Sequence, residues 1–351
     1  MLKKEDRVAI LLHQGFSSHH GKTGISYLRY GHSEIVAILD RENAGKSLSQ
    51  LIDLNRNIPI AANITEALKY QPTVLLIGIA PSGGALTDAW QLEVEAAVKA
   101  GLSVVNGLHT PLADKFGQLK DGQWIWDIRA EPKDLKIASA KARSLSCQRI
   151  LTVGTDMGVG KMSAAIELHR AAVKKGIKSK FLATGQGGLA IATEGIALDA
   201  VRVDFAAGAV EKMVLDSAKD NELLLIEGQG SLVHPGSTAT LPLIRGSQPT
   251  GLILVHRAGQ KHIADLPEVK IPPLSEVVKL YETVASVGGT FGEIKVKAIA
   301  LNTFHLDLET AKQAIAQVKN ETGLPCSDLV RFNPEEILNV LLYEREDELL
   351  N

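Results

Sequence analysis

One stretch of this chain constrains its fold more than any other. Arg149-Ile150-Leu151-Thr152-Val153 reads as a buried strand, and Gly154-Thr155-Asp156-Met157-Gly158-Val159-Gly160 as a glycine-rich turn. Lys161-Met162-Ser163 then opens a helix in which Ala164, Leu168, Ala171 and Ala172 recur at helical spacing. A strand, a glycine loop and a helix in that order make a cradle for anions. The first turn of a helix offers N–H groups with no intrahelical acceptor and a partial positive charge. Glycines let the backbone come close to phosphate oxygens, and Lys161 adds a full charge. The segment is read as holding the phosphates of a nucleotide or nucleotide-like cofactor. Its contact residues are Gly154, Thr155, Asp156, Gly158, Val159, Gly160, Lys161, Met162 and Ser163. The ordinary alternative is a glycine turn that merely starts a helix.

The loop departs from the standard phosphate motif in two places. Five residues rather than four separate Gly154 from Gly160. Met162 follows the lysine, where a Ser or Thr normally gives a hydroxyl to magnesium. Ser163 is the substitute ligand if a metal is used, with Glu227 as the second.

Strand-length apolar runs alternate with helix-period segments along most of the chain. In the first half the strand candidates are 8–13, 34–39, 74–79 and 102–105, with helices at 64–70 and 87–100. In the second half the strands are placed at 149–153, 180–183, 223–226, 251–255 and 296–301. Helices there are placed at 162–175, 205–219, 274–287, 308–322 and 334–343. Continuous Val/Ile/Leu runs point to strands buried on both faces, as in parallel sheets. The fold class is α/β: an N-terminal Rossmann-like parallel-sheet domain over residues 1–146 and a C-terminal P-loop NTPase-like parallel-sheet domain over 147–351. The stretch 116–136, with two tryptophans, two glycines and Pro132, reads as the boundary, followed by a helix over about 133–145.

Charge and composition narrow the partners. Lysine and arginine total 38 against 40 acidic residues, a net charge of −2 with no long run of one sign. Nothing there suits nucleic acid or an anionic membrane. The start, Lys3-Lys4-Glu5-Asp6-Arg7, is too acidic and its apolar run too short for a secretory signal. No run approaches the length of a membrane span. With only Cys147 and Cys326, neither a disulfide framework nor a Cys/His metal site is expected. The expectation is a cytoplasmic protein acting on a small molecule, with a homo-oligomer as the default assembly.

In parallel sheets ligands sit beyond the carboxyl ends of the strands. Those ends carry Gln186, Glu227, His234, His256-Arg257 and Asn302. Glu227 follows an apolar run, where an acid that holds magnesium or positions water belongs; a strand-end carboxylate capping a turn is the plain alternative. Histidine is the residue type best suited to proton transfer at working pH, so His234 can serve as a base, or be structural beside Pro235. Lys180 can pair with a phosphate or carboxylate, or be a solvated strand lysine. Gln186 can approach substrate or sit in a tight turn, and Asn302 can read a base edge or cap its strand.

Two further glycine–lysine patterns compete. Gly15–Thr23 has the same five-residue gap and a proper threonine, but its loop is filled by His19 and His20 and its helix is short. Gly45-Lys46-Ser47 reads as a helix start capped by Ser47. Asp40 ends the second strand, where dinucleotide folds place a ribose-binding acid, but no GxGxxG precedes it.

Three blocks carry a family resemblance: Gly154-Thr155-Asp156 with Val159-Gly160-Lys161, Ala183-Thr184-Gly185-Gln186, and Glu227-Gly228-Gln229-Gly230-Ser231 with His234-Pro235. Together with Gly21-Lys22-Thr23 and Leu28-Arg29-Tyr30 they resemble the DgcN-type family, long catalogued as a domain of unknown function. At least one member of that family is a D-glutamate N-acetyltransferase using acetyl-CoA. The resemblance implies a Rossmann-like domain followed by a P-loop domain. The N-terminal half also looks like the CoA-binding Rossmann-like domains of acyl-CoA ligases. The C-terminal half is similar to dethiobiotin synthetase, whose comparable loop binds ATP phosphates. There Lys180 falls on the lysine-bearing strand, Glu227 on the metal-associated acid and Met162 on a threonine.

Three functions follow as expectations. The first is acetyl transfer from acetyl-CoA to a small amino acid, with Glu227 or His234 taking the amine proton. The second is an ATP- and magnesium-dependent carboxylate-activating enzyme. The third is a nucleotide-sensing regulator with little catalysis.

Overall fold

The computed structural model describes residues 1–81 and 86–350, apart from the side chains of residues 19 and 343–350. The chain forms two compact units. One comprises residues 1–131 together with 186–200, the other 132–185 together with 201–351. Among the described residues no helix is long and apolar enough to cross a membrane. Cys147 and Cys326 are free and buried.

The first unit is a parallel sheet of six strands: β1 (Arg7–Leu11), β2 (Glu34–Leu39), β3 (Ile60–Ala61), β4 (Val74–Ile77), β5 (Ser103–Asn106) and β6 (Ile125–Asp127). They lie in the order β3-β2-β1-β4-β5-β6, the doubly wound arrangement. Helices α1 (Lys22–Tyr30), α2 (Ile64–Ala67) and α3 (Asp88–Ala100) connect them. The apolar runs behave as expected of strands covered on both faces: Val8–Leu11 and Leu75–Ile77 are fully buried. Helix α3 starts where the Thr87 side chain accepts from Trp90 N and stops where Gly101 turns left-handed at φ 101°.

The stretch expected as a boundary holds a strand instead. β6 adds to the sheet edge beside β5, and the Asp127 carboxylate anchors it by accepting from Asn106 Nδ2 (2.6 Å), Leu112 N (3.0 Å) and Ala113 N (3.0 Å). A half-buried strand of three residues is too short to show a period.

The second unit repeats the plan. In chain order it contains β7 (Gln148–Gly154), α4 (Lys161–Lys174) and β8 (Ser179–Leu182). The next helix, α5 (Gln186–Ala192), belongs to the first unit, where His32 Nδ1 lies 3.0 Å from Ile191 O. The second unit resumes with α6 (Val203–Ser217), β9 (Leu223–Ile226), α7 (Thr240–Ser247) and β10 (Gly251–Arg257). A hairpin follows, β11 (His262–Ile263) with β12 (Leu266–Lys270), then α8 (Leu274–Ala285), β13 (Val296–Asn302), α9 (Leu308–Thr322), β14 (Cys326–Ser327) and α10 (Glu335–Leu350). The sheet order is β14-β13-β10-β7-β9-β8, all parallel. β7 thus lies between β10 and β9, and the ends of all three converge on the loop that follows β7.

The helix expected over 133–145 is not formed; only a short turn at Lys141–Ser144 is helical. Pro132 opens the segment, and Ala140 takes a left-handed φ of 57°. Glu211 of α6, buried, accepts from Ser139 N (2.9 Å) and Lys141 N (2.6 Å). Those amides are spent on a carboxylate rather than on a helix ladder. Gly208 permits the approach: a Cβ there would fall on Lys136 O.

Candidate phosphate-binding site

Strand β7 delivers Gly154 to the carboxyl edge of the sheet, and α4 leaves it from Lys161. Between them Gly158 and Gly160 adopt φ of 68° and 114°, which side-chain-bearing residues rarely do. Each loop carbonyl that is pinned also aims the next N–H the opposite way, because the peptide unit is planar. Four are pinned by side chains. Asp156 O accepts from Lys161 Nζ (2.7 Å), Gly158 O from Arg257 Nη2 (3.2 Å) and Val159 O from Asn302 Nδ2 (2.9 Å). Gly154 O accepts from the hydroxyl of Tyr281 (2.7 Å), which in turn accepts from Leu232 N (3.0 Å). Burial raises the Tyr281 phenol's pKa, while its hydrogen bonds with Leu232, Ser231 and Gly154 pull it down; the net shift is upward, so it stays a neutral hydroxyl.

Asp156 and Thr155 are held away from solvent. Asp156 is 2% exposed; its Oδ1 accepts from Met157 N (2.6 Å) and its Oδ2 from Gln260 Nε2 (2.6 Å) and Ala264 N (2.8 Å). The carboxylate therefore ties the loop to the segment leading into and through the β11–β12 hairpin. Thr155 Oγ1 and His256 Nδ1 share a hydrogen bond of 2.8 Å. Burial, aided by the neighbouring Arg257 charge, pushes the His256 pKa down to about 4, so this ring is neutral.

Glu227 stands at the end of β9. Its Oε2 accepts from Thr184 N (2.8 Å) and Gly185 N (3.2 Å), and Gln229 Nε2 lies 3.5 Å from its Oε1. The next residue, Gly228, donates from its N–H to Thr152 Oγ1 (2.9 Å). A Cβ on Gly228 would land on Thr152 O and come within 3.0 Å of Lys161 Cδ. Gly228, the residue after Glu227, thus lies against the lysine stem. His234 is 8% exposed; its Nδ1 accepts from Gly236 N (3.0 Å), and its Nε2 lies 4.0 Å from Asp156 Oδ1. Accepting at Nδ1 leaves Nε2 to carry the ring's proton, and that atom faces Asp156 beyond hydrogen-bond distance.

The structure brings the loop, Glu227, His234 and Asn302 together. Ser163 and Met162 are half-buried in the first turn of α4. Lys180 lies in the edge strand β8, half-buried and in register with Leu224, two residues before the strand ends. Gln186 opens α5 and so is part of the first unit. Tyr281, Gln260 and Thr152 hold the site but carry no sequence signal of that role, and His256 is visible in the sequence only as a strand-end residue. Tyr281 sits on the apolar stripe of a helix, Thr152 acts through strand register, and Gln260 lies in the turn between β10 and β11. Among the described residues no group of three His, Cys, Asp or Glu side chains is arranged to hold a metal ion. The Asp156 carboxylate accepts from three amide donors, and Met162 brings a thioether where a hydroxyl would serve magnesium.

The rival loop after β1 is closed. A Cβ on Gly21 would fall on Gly15 O, and Gly24 donates to Gly78 O (2.8 Å). The two loop glycines lie against each other instead of framing a cradle. Asp40 accepts from Asn43 Nδ2 (2.6 Å). Ser47 forms a capping box with Gln50, as its sequence suggested.

Residues 136–338 match the P-loop domain, and residues 41–131 the Rossmann-like domain, of the domain family of unknown function DUF1611. The chain belongs to the DUF1611 family. Its fold is that of a DUF1611 family protein from Anabaena variabilis ATCC 29413, known from a 2.30 Å crystal structure. The two are 57% identical with a TM-score of 0.93, over 97% of this chain and 100% of that one. Two relatives carry the name D-glutamate N-acetyltransferase. The one from Tritonibacter scottomollicae is 34% identical over 283 residues, 79% of this chain and 84% of its own. The one from a Pseudoalteromonas species is 33% identical over 282 residues, 79% of this chain and 83% of its own.

Proposed function

We propose that this DUF1611 protein is an N-acetyltransferase that moves the acetyl group of acetyl-CoA to the amine of a small amino acid such as D-glutamate. The observation that carries this reading is the match to two proteins named for that reaction over about four-fifths of both chains. The loop supports it. A cradle of backbone N–H groups with Lys161 at its helix start suits the phosphates of a CoA-type donor. Met162 stands where a hydroxyl would serve the magnesium that accompanies a triphosphate, and CoA does not require that metal.

Acetyl-CoA, when bound, supplies an acyl carbon activated by its thioester. Gly154, Gly158, Val159, Gly160 and Lys161 would hold its phosphates. An attacking amine must be neutral, and Glu227, at the end of β9 next to Gly228, is assigned to take its proton. As the new C–N bond forms, the C–S bond breaks, and the proton that the nitrogen sheds in becoming an amide converts the leaving thiolate to the CoA thiol. His234, presenting Nε2–H to Asp156, is assigned to position the loop rather than to act as base.

The test is release of free CoA thiol from acetyl-CoA with D-glutamate, L-glutamate and other amino acids. Thiol release dependent on an amino acid, with the acetylated product seen by mass spectrometry, is the expected result. Absence of release with all of them removes the reading. ADP release from ATP under the same conditions would favour carboxylate activation instead.

A further inference from the structure

We propose that Phe304 and Arg257 form a nucleobase subsite beside the phosphate loop. It would take the adenine of a nucleotide, whether free or as the nucleotide portion of a CoA thioester. The inference rests on the reading of Gly154–Lys161 as a phosphate cradle.

Arg257 ends β10 and pairs in register with Asn302 at the end of β13, so the two carboxyl ends lie side by side. Two residues beyond Asn302 the Phe304 ring stands 69% exposed. The guanidinium carbon of Arg257 lies 5.7 Å from the ring centroid, within reach of the ring's negative face. That leaves most of the ring surface open. The same guanidinium donates from Nη2 to Gly158 O, while its Nε is buried without a hydrogen-bond partner. Asn302 completes the frame: its Nδ2 donates to Val159 O, and its Oδ1 accepts from Phe304 N (3.3 Å). Cation, aromatic face and strut are each one or two hydrogen bonds from the loop residues Gly158 and Val159.

A nucleotide whose phosphates lie on such a loop carries a flat π-system at its other end. An exposed ring joined to the loop through short contacts is the natural seat for it. Recognition here works by stacking. The Asn302 amide already supports Val159 and Phe304, which makes it a prop for the platform more than a reader of base edges. Stacking is tolerant of base identity because every base has a π-face, so ATP and GTP should bind alike.

The experiment is calorimetric titration of the full chain and of Phe304→Ala and Phe304→Trp with CoA, ATP, GTP and inorganic tripolyphosphate. The exposed ring can be removed without opening a cavity, and an unchanged melting temperature checks this. Losing a stacking contact should weaken CoA, ATP and GTP about 5- to 150-fold in the Ala variant. Tripolyphosphate should bind as before, and the Trp variant should restore nucleotide binding. If Phe304→Ala leaves nucleotide affinity intact, or weakens tripolyphosphate as much as CoA, the subsite is refuted. If tripolyphosphate binds the wild type as tightly as ATP and CoA do, the cradle stands and the subsite alone falls. If no phosphate compound binds the wild type, the cradle falls and takes the subsite with it.

Discussion

His256 packs its ring against Thr155 at the end of β10, and being uncharged there has a cost that pH reveals. Burial lowers its pKa from the ordinary 6.5 to about 4. The unfolded chain therefore binds a proton that the folded chain refuses between those values. Stability from this site is complete above pH 6.5, falls as pH drops toward about 4, and is level below that. The full loss is on the order of 3 kcal/mol. Urea unfolding across this range should show the fall, and His256→Phe should flatten it. A slope that survives the substitution would assign it to other groups. This residue also shows what sequence conceals. The loop glycines and Lys161 advertise themselves by order and spacing. The partner of Thr155 is set by the register of β10 against β7, which pairs Val255 with Gly154. Tyr281 is concealed in the same way: its ring reads as core, and only the fold shows its hydroxyl between Gly154 O and Leu232 N.

Elements that bury whole apolar runs were legible; elements held by single polar groups were not. Strands β1, β4, β9 and β10 are near-continuous Val/Ile/Leu segments, and α9 falls on its expected bounds, ending at the left-handed Gly323. β6 and the extended segment after Pro132 depend instead on Asp127 and Glu211, whose acceptors replace what periodicity would have shown. Glu211→Ala should therefore act on an element rather than a side chain. It removes the acceptor for Ser139 N and Lys141 N in a buried place. The expected loss is on the order of 3 kcal/mol, with faster hydrogen exchange concentrated at residues 139–141. Unchanged exchange there would show that the segment is held by something else. The β11–β12 hairpin is a further case. It reads as a polar interlude, yet Ala264 N, between its strands, and Gln260 before it hold the loop aspartate.

At the scale of the molecule, each unit is a parallel sheet whose strand ends gather polar residues at one edge, and both sequence halves announced that plan by alternation. In the second unit the loop after the central strand carries Gly158 and Gly160 with left-handed φ; in the first the loop glycines Gly15 and Gly21 lie against each other. A net charge of −2 gives no long-range attraction for an anionic donor, so the proposed binding would rely on the local cation and amides. The most direct test is therefore steady-state acetyl transfer by the wild type and by Lys161→Ala, the variant's fold checked by its melting temperature. Removing a charge-assisted contact should raise KM for acetyl-CoA about 10- to 150-fold and leave KM for the amino acid nearly unchanged. A folded variant with an unaltered KM for acetyl-CoA would contradict the account.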